Sequence, residues 1–355
     1  MKMYTRAQRY LTGAIILLGT SLQLSAMSVN AERVYEKETD SRYPVSFSIS
    51  TGILNGESEE YAYMYDNYYG IDGKVSKLTW DLKNVFMVGA ETSIGVADRV
   101  SVNFGGWINA NSGSGDMSDY DWYNGDDAAW TDKSDHSNTD LEEGMMLDAN
   151  IDVILLARDT YTLSGVLGFR HDKFRWNAYD GNGQYSTSLY PGDRGQDVEF
   201  DGKAISYKQE LYAPYLGFNF DYNRDKWTIK SYVRASAWAW GEATDTHYYP
   251  AGKYTLNKDL VLPDGTVVPK GTEMTSDKGE KKSFKDEVED MFYLAFGLGV
   301  DYQFTERFSA GVSADFQKYN KEEDEDRTTD EWGTETWGGM SHMSYMVTAS
   351  ARYSF

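Results

Sequence analysis

The feature that most limits what this chain can fold into is an alternation of apolar and polar residues with a period of two. It returns ten times between Val45 and Phe355. A period of two puts successive side chains on opposite faces of an extended strand, so each run is predicted to be a strand with one apolar face. The runs start at Val45, Phe86, Val100, Leu147, Tyr161, Tyr212, Trp227, Phe292, Phe308 and Tyr345. The cleanest is Phe292, Leu294, Phe296, Leu298, Val300, Tyr302 and Phe304. Four breaks between runs are tight and polar, near 97–99, 158–160, 223–226 and 305–307, and the other five are long and rich in Asp, Gly, Tyr and Ser. The apolar stripes begin or end in Tyr, Trp or Phe, as interface girdles do. The opposite faces carry Asp, Asn, Lys and Arg, which a dry sandwich core would not tolerate unpaired. An even strand number with short turns on one rim is the pattern of an all-β, ten-stranded antiparallel transmembrane β-barrel, with long extracellular loops and short periplasmic turns. A secreted soluble sandwich is the competing fold.

Residues 1–31 read as a secretory signal peptide. Lys2, Arg6 and Arg9 supply the positive start, Leu11 to Leu24 the apolar core, and Val29-Asn30-Ala31 the cleavage site. Residues 32–355 then form a single barrel domain with no linker. The chain has no Cys, so its stability must come from packing and closure rather than from disulfides. Its net charge of −22 disfavours nucleic acid and favours basic partners or substrates.

Strand direction locates two acidic constellations. Gly115-Asp116-Met117-Ser118-Asp119-Tyr120-Asp121-Trp122 follows the outward run from Val100, and Asp245-Thr246-His247 follows the outward run from Trp227. Both are expected in long loops on the outer rim, from opposite halves of the barrel. Asp119 and Asp121 are two residues apart, so their side chains share a side. Like charges that close repel, and one is expected to hold a proton or share a water. An Asp two residues before a His can orient the imidazole, which can then take a proton from water. The rival reading is a metal site built from Asp119, Asp121, Asp245 and His247, although no HExxH-like spacing supports it.

The chain resembles the omptins, a family of outer-membrane aspartyl-type endopeptidases of Gram-negative bacteria. The matching residues are Ser50 to Gly56, Val75 to Trp80, Gly115 to Trp122, Trp130-Thr131-Asp132 with His136, Tyr207-Lys208-Gln209, and Asp245 to Tyr248 with Pro250. The resemblance implies a ten-stranded barrel protruding above the outer membrane, an Asp245–His247 dyad, an Asp119–Asp121 couple and an attacking water between the pairs. It implies cleavage after basic residues, often between two of them, by a monomer at the cell surface that needs no cofactor or metal. In the family a Glu and an Asp bind the basic side chain before the scissile bond. Glu60 matches the Glu, whereas the Asp position is Ala243, so either Glu242 substitutes or the preference is altered. Asp132 matches the acid for the following side chain. The resemblance also implies lipopolysaccharide as an activator held by basic side chains on the outer wall. Lys173 keeps one such position, and Glu210 falls where a second cation is expected.

Two other classes of function stay open on the sequence. One is a barrel that no longer cuts and serves as an adhesin or binder of cationic ligands, suggested by Ala243 and the acidity. The other is a small porin, for which ten strands leave little lumen. Residues about 251–290 form an unusually long loop containing Lys281-Lys282, a dibasic pair the protein could cut in itself. Glu322 to Asp326 is a block of like charge expected at a solvated tip. His171 and His342 have no evident role.

Overall fold

The computed structural model describes residues 44–66, 70–113, 115–123, 129–187, 192–324, 327–329 and 333–355. The predicted leader, together with Glu325 and Asp326, lies outside them. The chain enters β1 (Val45–Asp66) and turns into β2 (Ile71–Ala97). A third stave is made of two pieces, β3 (Val100–Asn109) and β4 (Gly115–Asp121). Then come β5 (Asp132–Ala157), β6 (Tyr161–Tyr185), β7 (Gln196–Arg224) and β8 (Trp227–His247). An outer arm follows: β9 (Gly252–Leu256), β10 (Leu260–Val261), β11 (Val267–Val268) and β12 (Glu273–Ser276). The last staves are β13 (Lys282–Gln303), β14 (Phe308–Lys321) and β16 (Glu335–Ser354), with the short β15 (Thr328–Thr329) before the final one.

Each stave pairs antiparallel with its neighbours, β7 pairs with β8, and β1 pairs with β16, so ten staves close into a ring. Through the girdle, closure leaves no stave edge unpaired, which is what a strand protein needs in lipid. The tight turns stand where the sequence put them, with β2–β3, β5–β6, β7–β8 and β13–β14 joined by residues 98–99, 158–160, 225–226 and 304–307.

An exposed apolar girdle surrounds the end of the ring nearest those turns. Ile49, Phe104, Leu167, Leu216, Phe218, Phe296, Leu298, Val312 and Val347 all point outward and are exposed. Trp227, Tyr302, Phe304 and Phe308 make an aromatic belt at its lower edge, with ring centroids 4.8–5.7 Å apart. Inside the girdle the polar side chains are paired, as Arg234 with Asp148 at 3.1 Å, Lys230 with Asp301, and Asn219 with Asp152 at 2.6 Å. They line a lumen cavity of about 630 Å³.

The staves do not stop at the girdle. A tilted spanning strand needs only about 9–11 residues, yet β2 has 27 and β7 has 29, so more than half of each stands beyond the membrane. This corrects the expectation that both acidic constellations lie in loops, because both sit on strand extensions. The connection after β1 is also only residues 67–70. Within the extension lies a dry layer of fully buried Trp80, Trp176, Tyr207, Phe174, Leu211 and Met340. Trp80 stacks on Tyr207 with centroids 5.5 Å apart. This layer separates the lumen below from the mouth above. A porin reading finds no support in an interior blocked this way.

Other sequence expectations are also corrected. The 251–290 stretch is structured: β9 pairs with β7 and with β12, extending the wall. The acidic block is not uniformly solvated, since Asp324 is buried and pairs with Lys321 at 3.1 Å, and Glu323 accepts a hydrogen bond from Trp337 Nε1. His342 is packed in the interior, 2.8 Å from Ser58 Oγ and stacked on Phe174, and His171 stacks on Tyr212.

Candidate active site

Strand alternation builds the mouth. On β4, Gly115, Met117, Asp119 and Asp121 are buried and face inward, while Asp116, Ser118 and Tyr120 alternate with them. β4 is clamped between β2 and β5, with Asp119 opposite Leu78 on one side and Ser134 on the other. Ser76 Oγ donates to Asp119 Oδ1 at 3.2 Å. Burial is the largest influence on Asp119 and, with the nearby Asp245 charge, pushes its pKa up to about 7. Burial, then the Asp119 charge, also raises Asp121. A couple of this kind holds a proton in the neutral range, which makes it a good holder of a polarised water.

Across the ring, β8 brings Asp245 and His247 to the same inward face. His247 Nε2 lies 2.5 Å from Asp245 Oδ2. Asp245 is buried, and its Oδ1 has no hydrogen-bond partner. His247 is partly open to the mouth, framed by Tyr249 and by Phe284, which meets its ring edge-on at 5.9 Å. The buried carboxylate fixes the ring, while the ring keeps access to water. Among the described residues, no group of three or more His, Cys, Asp or Glu side chains is arranged to hold a metal ion.

The expected pocket residues divide. Glu60 faces inward and is buried; burial first, then the charges of Asp245, Asp286 and Asp119, raises its pKa well above the ordinary value. Asp132 is buried next to Asp121 in the ladder, where Ser186 N donates to its Oδ1 at 2.7 Å and Ser186 Oγ approaches its Oδ2 at 3.3 Å. Glu242 is not in the mouth. It is exposed on the outer wall, because it alternates with the inward Gly241 and Ala243. It therefore cannot stand in for an acid at 243. Lys173 is on the outer wall but is occupied by Glu143 at 2.7 Å and Glu210 at 3.9 Å.

Sequence reasoning assigned no role to three contributors. Ser76 reaches Asp119 from the neighbouring strand. His136 is buried beside Ser134, and Gly181 makes room for its ring: at φ +126° an added Cβ would lie 2.5 Å from Nδ1. Asp286 faces the mouth from β13, paired opposite Ala243. Its position was hidden by a break in the alternation of β13.

A closed ten-stave ring with an outward apolar girdle defines an outer-membrane β-barrel, here with a carboxylate-lined mouth. The crystal structure of the outer membrane protease OmpT from Escherichia coli superposes with a TM-score of 0.69 at 21% identity, covering 88% of this chain and 97% of that one. The model of the Omptin family matches residues 41–261, and the chain belongs to that family. It is 26% identical to the plasminogen activator of Yersinia pestis over 320 residues, 88% of this chain and 90% of that protein. It is 28% identical to the outer membrane protease OmpP of Escherichia coli (strain K12), over 66% of this chain and 72% of that protein. The protein is accordingly an outer-membrane protease.

Proposed function

We propose that the protein is an endopeptidase cutting peptides and proteins at or near basic residues, with water as the nucleophile. The observation that carries this reading is the 2.5 Å Asp245–His247 pair facing the buried Asp119–Asp121 couple across one mouth. A water between the pairs would be held by the couple. His247 would take its proton as the water oxygen attacks the scissile carbonyl, and Asp245 would stabilise the imidazolium. The same proton would then pass to the departing amine. No covalent enzyme intermediate and no metal ion is needed. The mouth opens on the extracellular side, at the end of the barrel away from the tight turns.

The closed ring supports a monomer, since through the girdle each stave pairs with both neighbours within one chain. Lipopolysaccharide as the activating partner belongs to the same reading, and Lys173 would engage a phosphate only by loosening its hold on Glu143. The alternative of a non-cutting binder of cationic ligands shares the acidic mouth but has no use for a His–Asp pair at 2.5 Å.

The test is cleavage of a fluorogenic Arg-Arg peptide by the protein in outer membranes containing lipopolysaccharide, with the cut bond mapped by mass spectrometry. Cleavage next to a basic residue by the wild type, reduced about a thousandfold in Asp119→Ala, is expected. Binding without turnover by the wild type would favour the binder instead.

A further inference from the structure

Neighbouring glutamates on β1 have opposite surroundings. Glu59 points outward and is fully served: Lys77 Nζ lies 2.6 Å away, and Tyr61 OH and Ser341 Oγ donate to it at 2.5 and 2.8 Å. Glu60 points inward, is 7% exposed, and its Oε2 has no hydrogen-bond partner. A buried carboxylate left in that condition is costly unless a guest supplies the missing donor.

A second acid bracketing this space is Asp286, half-buried on β13. Among the described residues, no Lys or Arg forms an ion pair with Glu60 or Asp286; the nearby Lys321 is taken by Asp324 at 3.1 Å. Two small residues make room for the Asp286 carboxylate. Ala243 lies opposite it on β8. On the other side is Gly338 of β16, where an added Cβ would come within 2.8 Å of Asp286 Oδ1. Gly338 pairs with Ala62, and Glu60 is the next inward residue down that strand. The carboxylate of Asp286 therefore leans over Gly338 toward Glu60.

We infer that Asp286 is the second acid of the pocket for the basic side chain before the scissile bond, taking over from across the sheet the role that the family gives to the position of Ala243. The inference rests on the proposed cleavage at basic residues and assigns its specificity. Glu60 from β1 and Asp286 from β13 grip one guanidinium or ammonium group from two walls. Ala243 is then not a lost acid but the space in which the relocated acid sits. The geometry fits because a planar guanidinium can donate to two carboxylates at once.

The experiment compares two peptides identical except for Arg or citrulline before the scissile bond, a pair that differs in charge and hardly in shape. Binding is measured by fluorescence anisotropy on detergent-solubilised barrel carrying His247→Ala, and cleavage separately on the otherwise wild-type protein. The preference for Arg over citrulline is expected to be roughly a hundredfold and to fall at least tenfold in Asp286→Asn, as when one charged partner is removed from a buried pair. Adding Ala243→Asp to Asp286→Asn should restore most of it. Gly338→Val, which crowds the carboxylate aside and leaves its charge, should also lower it. The heat-dependent gel mobility of a folded barrel checks each variant. An Arg preference unchanged by both Asp286→Asn and Gly338→Val overturns the assignment. An Asp286-dependent preference in binding, with no cleavage by the wild type, upholds the pocket and overturns the proposed cleavage at basic residues alone.

Discussion

At the scale of single residues, the mouth is a place where negative charge is gathered and left short of cations. Asp119 is the clearest case, with a pKa raised to about 7 mainly by burial and then by Asp245. Between the ordinary carboxylate value of 3.8 and about 7, the folded protein holds a proton there that the unfolded chain has already released. Its contribution to stability is therefore complete at low pH and is lost as pH rises through that window, levelling off above it. The thermal midpoint of the wild type should accordingly fall relative to that of Asp119→Asn between pH 4 and pH 8, by an amount worth a few kcal/mol. Midpoints that stay parallel across this range would show that Asp119 is already ionised in the folded protein. The identities of Asp119, Asp121, Asp245 and His247 were legible as candidates in the sequence, because i, i+2 spacing on an extended chain fixes a shared face without any knowledge of the fold. What each one touches was not legible. The Ser76 hydroxyl that donates to Asp119 comes from a strand 43 residues away in the chain.

At the scale of elements, the site depends on places where the alternation changes phase. In the lower part of β8 the odd residues Trp227, Ile229 and Val233 are exposed on the girdle. In its upper part the odd residues Ala239, Gly241, Ala243 and Asp245 are buried. The switch occurs at Ala237-Trp238, where the β8–β13 register shifts. On β13 the stripe below has even residues outward, yet Asp286 and Val288 are even and point inward, because Glu289-Asp290 forms a second bulge and Asp290 has φ +56°. The same change occurs on β2 at Lys83-Asn84, with Asn84 at φ +52°. An extra residue in a strand turns every later side chain over. Extrapolation of the girdle pattern would thus place Asp245, His247 and Asp286 on the outer wall, and for this reason Asp286 was not legible as a mouth residue. Deleting Ala237 should straighten β8 and turn the dyad outward. Peptide cleavage is expected to drop at least a hundredfold while the barrel keeps its heat-modifiable mobility. Retained cleavage would mean that the wall repairs its register around the deletion.

At the scale of the whole molecule, the two halves of each stave serve different solvents. The ten apolar stripes, the tight turns and the aromatic ends follow from the requirement that a lipid-facing strand be apolar at every second residue, so this half was readable from periodicity alone. The protruding half has water instead of lipid outside its wall, and no outward apolar stripe is imposed on it. Its strands therefore looked like loops in the sequence, including the β9–β12 arm and the start of β13. Lys282 is one example, since it pairs with His247 at the top of the wall instead of lying free in a loop, and the Lys281–Lys282 bond begins a strand. The net charge of −22 then makes sense as a property of this upper half, where it would draw cationic peptides toward a mouth already lined with acids. The dry layer beneath the mouth gives those acids a rigid floor and keeps the lumen out of the reaction. All of this converges on one dyad. The measurement that tests it most directly is kcat/KM of His247→Ala against wild type on an Arg-Arg peptide, in outer membranes where both barrels are folded. A loss of about a thousandfold, with peptide binding retained, is what a general base at His247 predicts. Activity within tenfold of wild type would contradict it and place the proton acceptor elsewhere in the mouth.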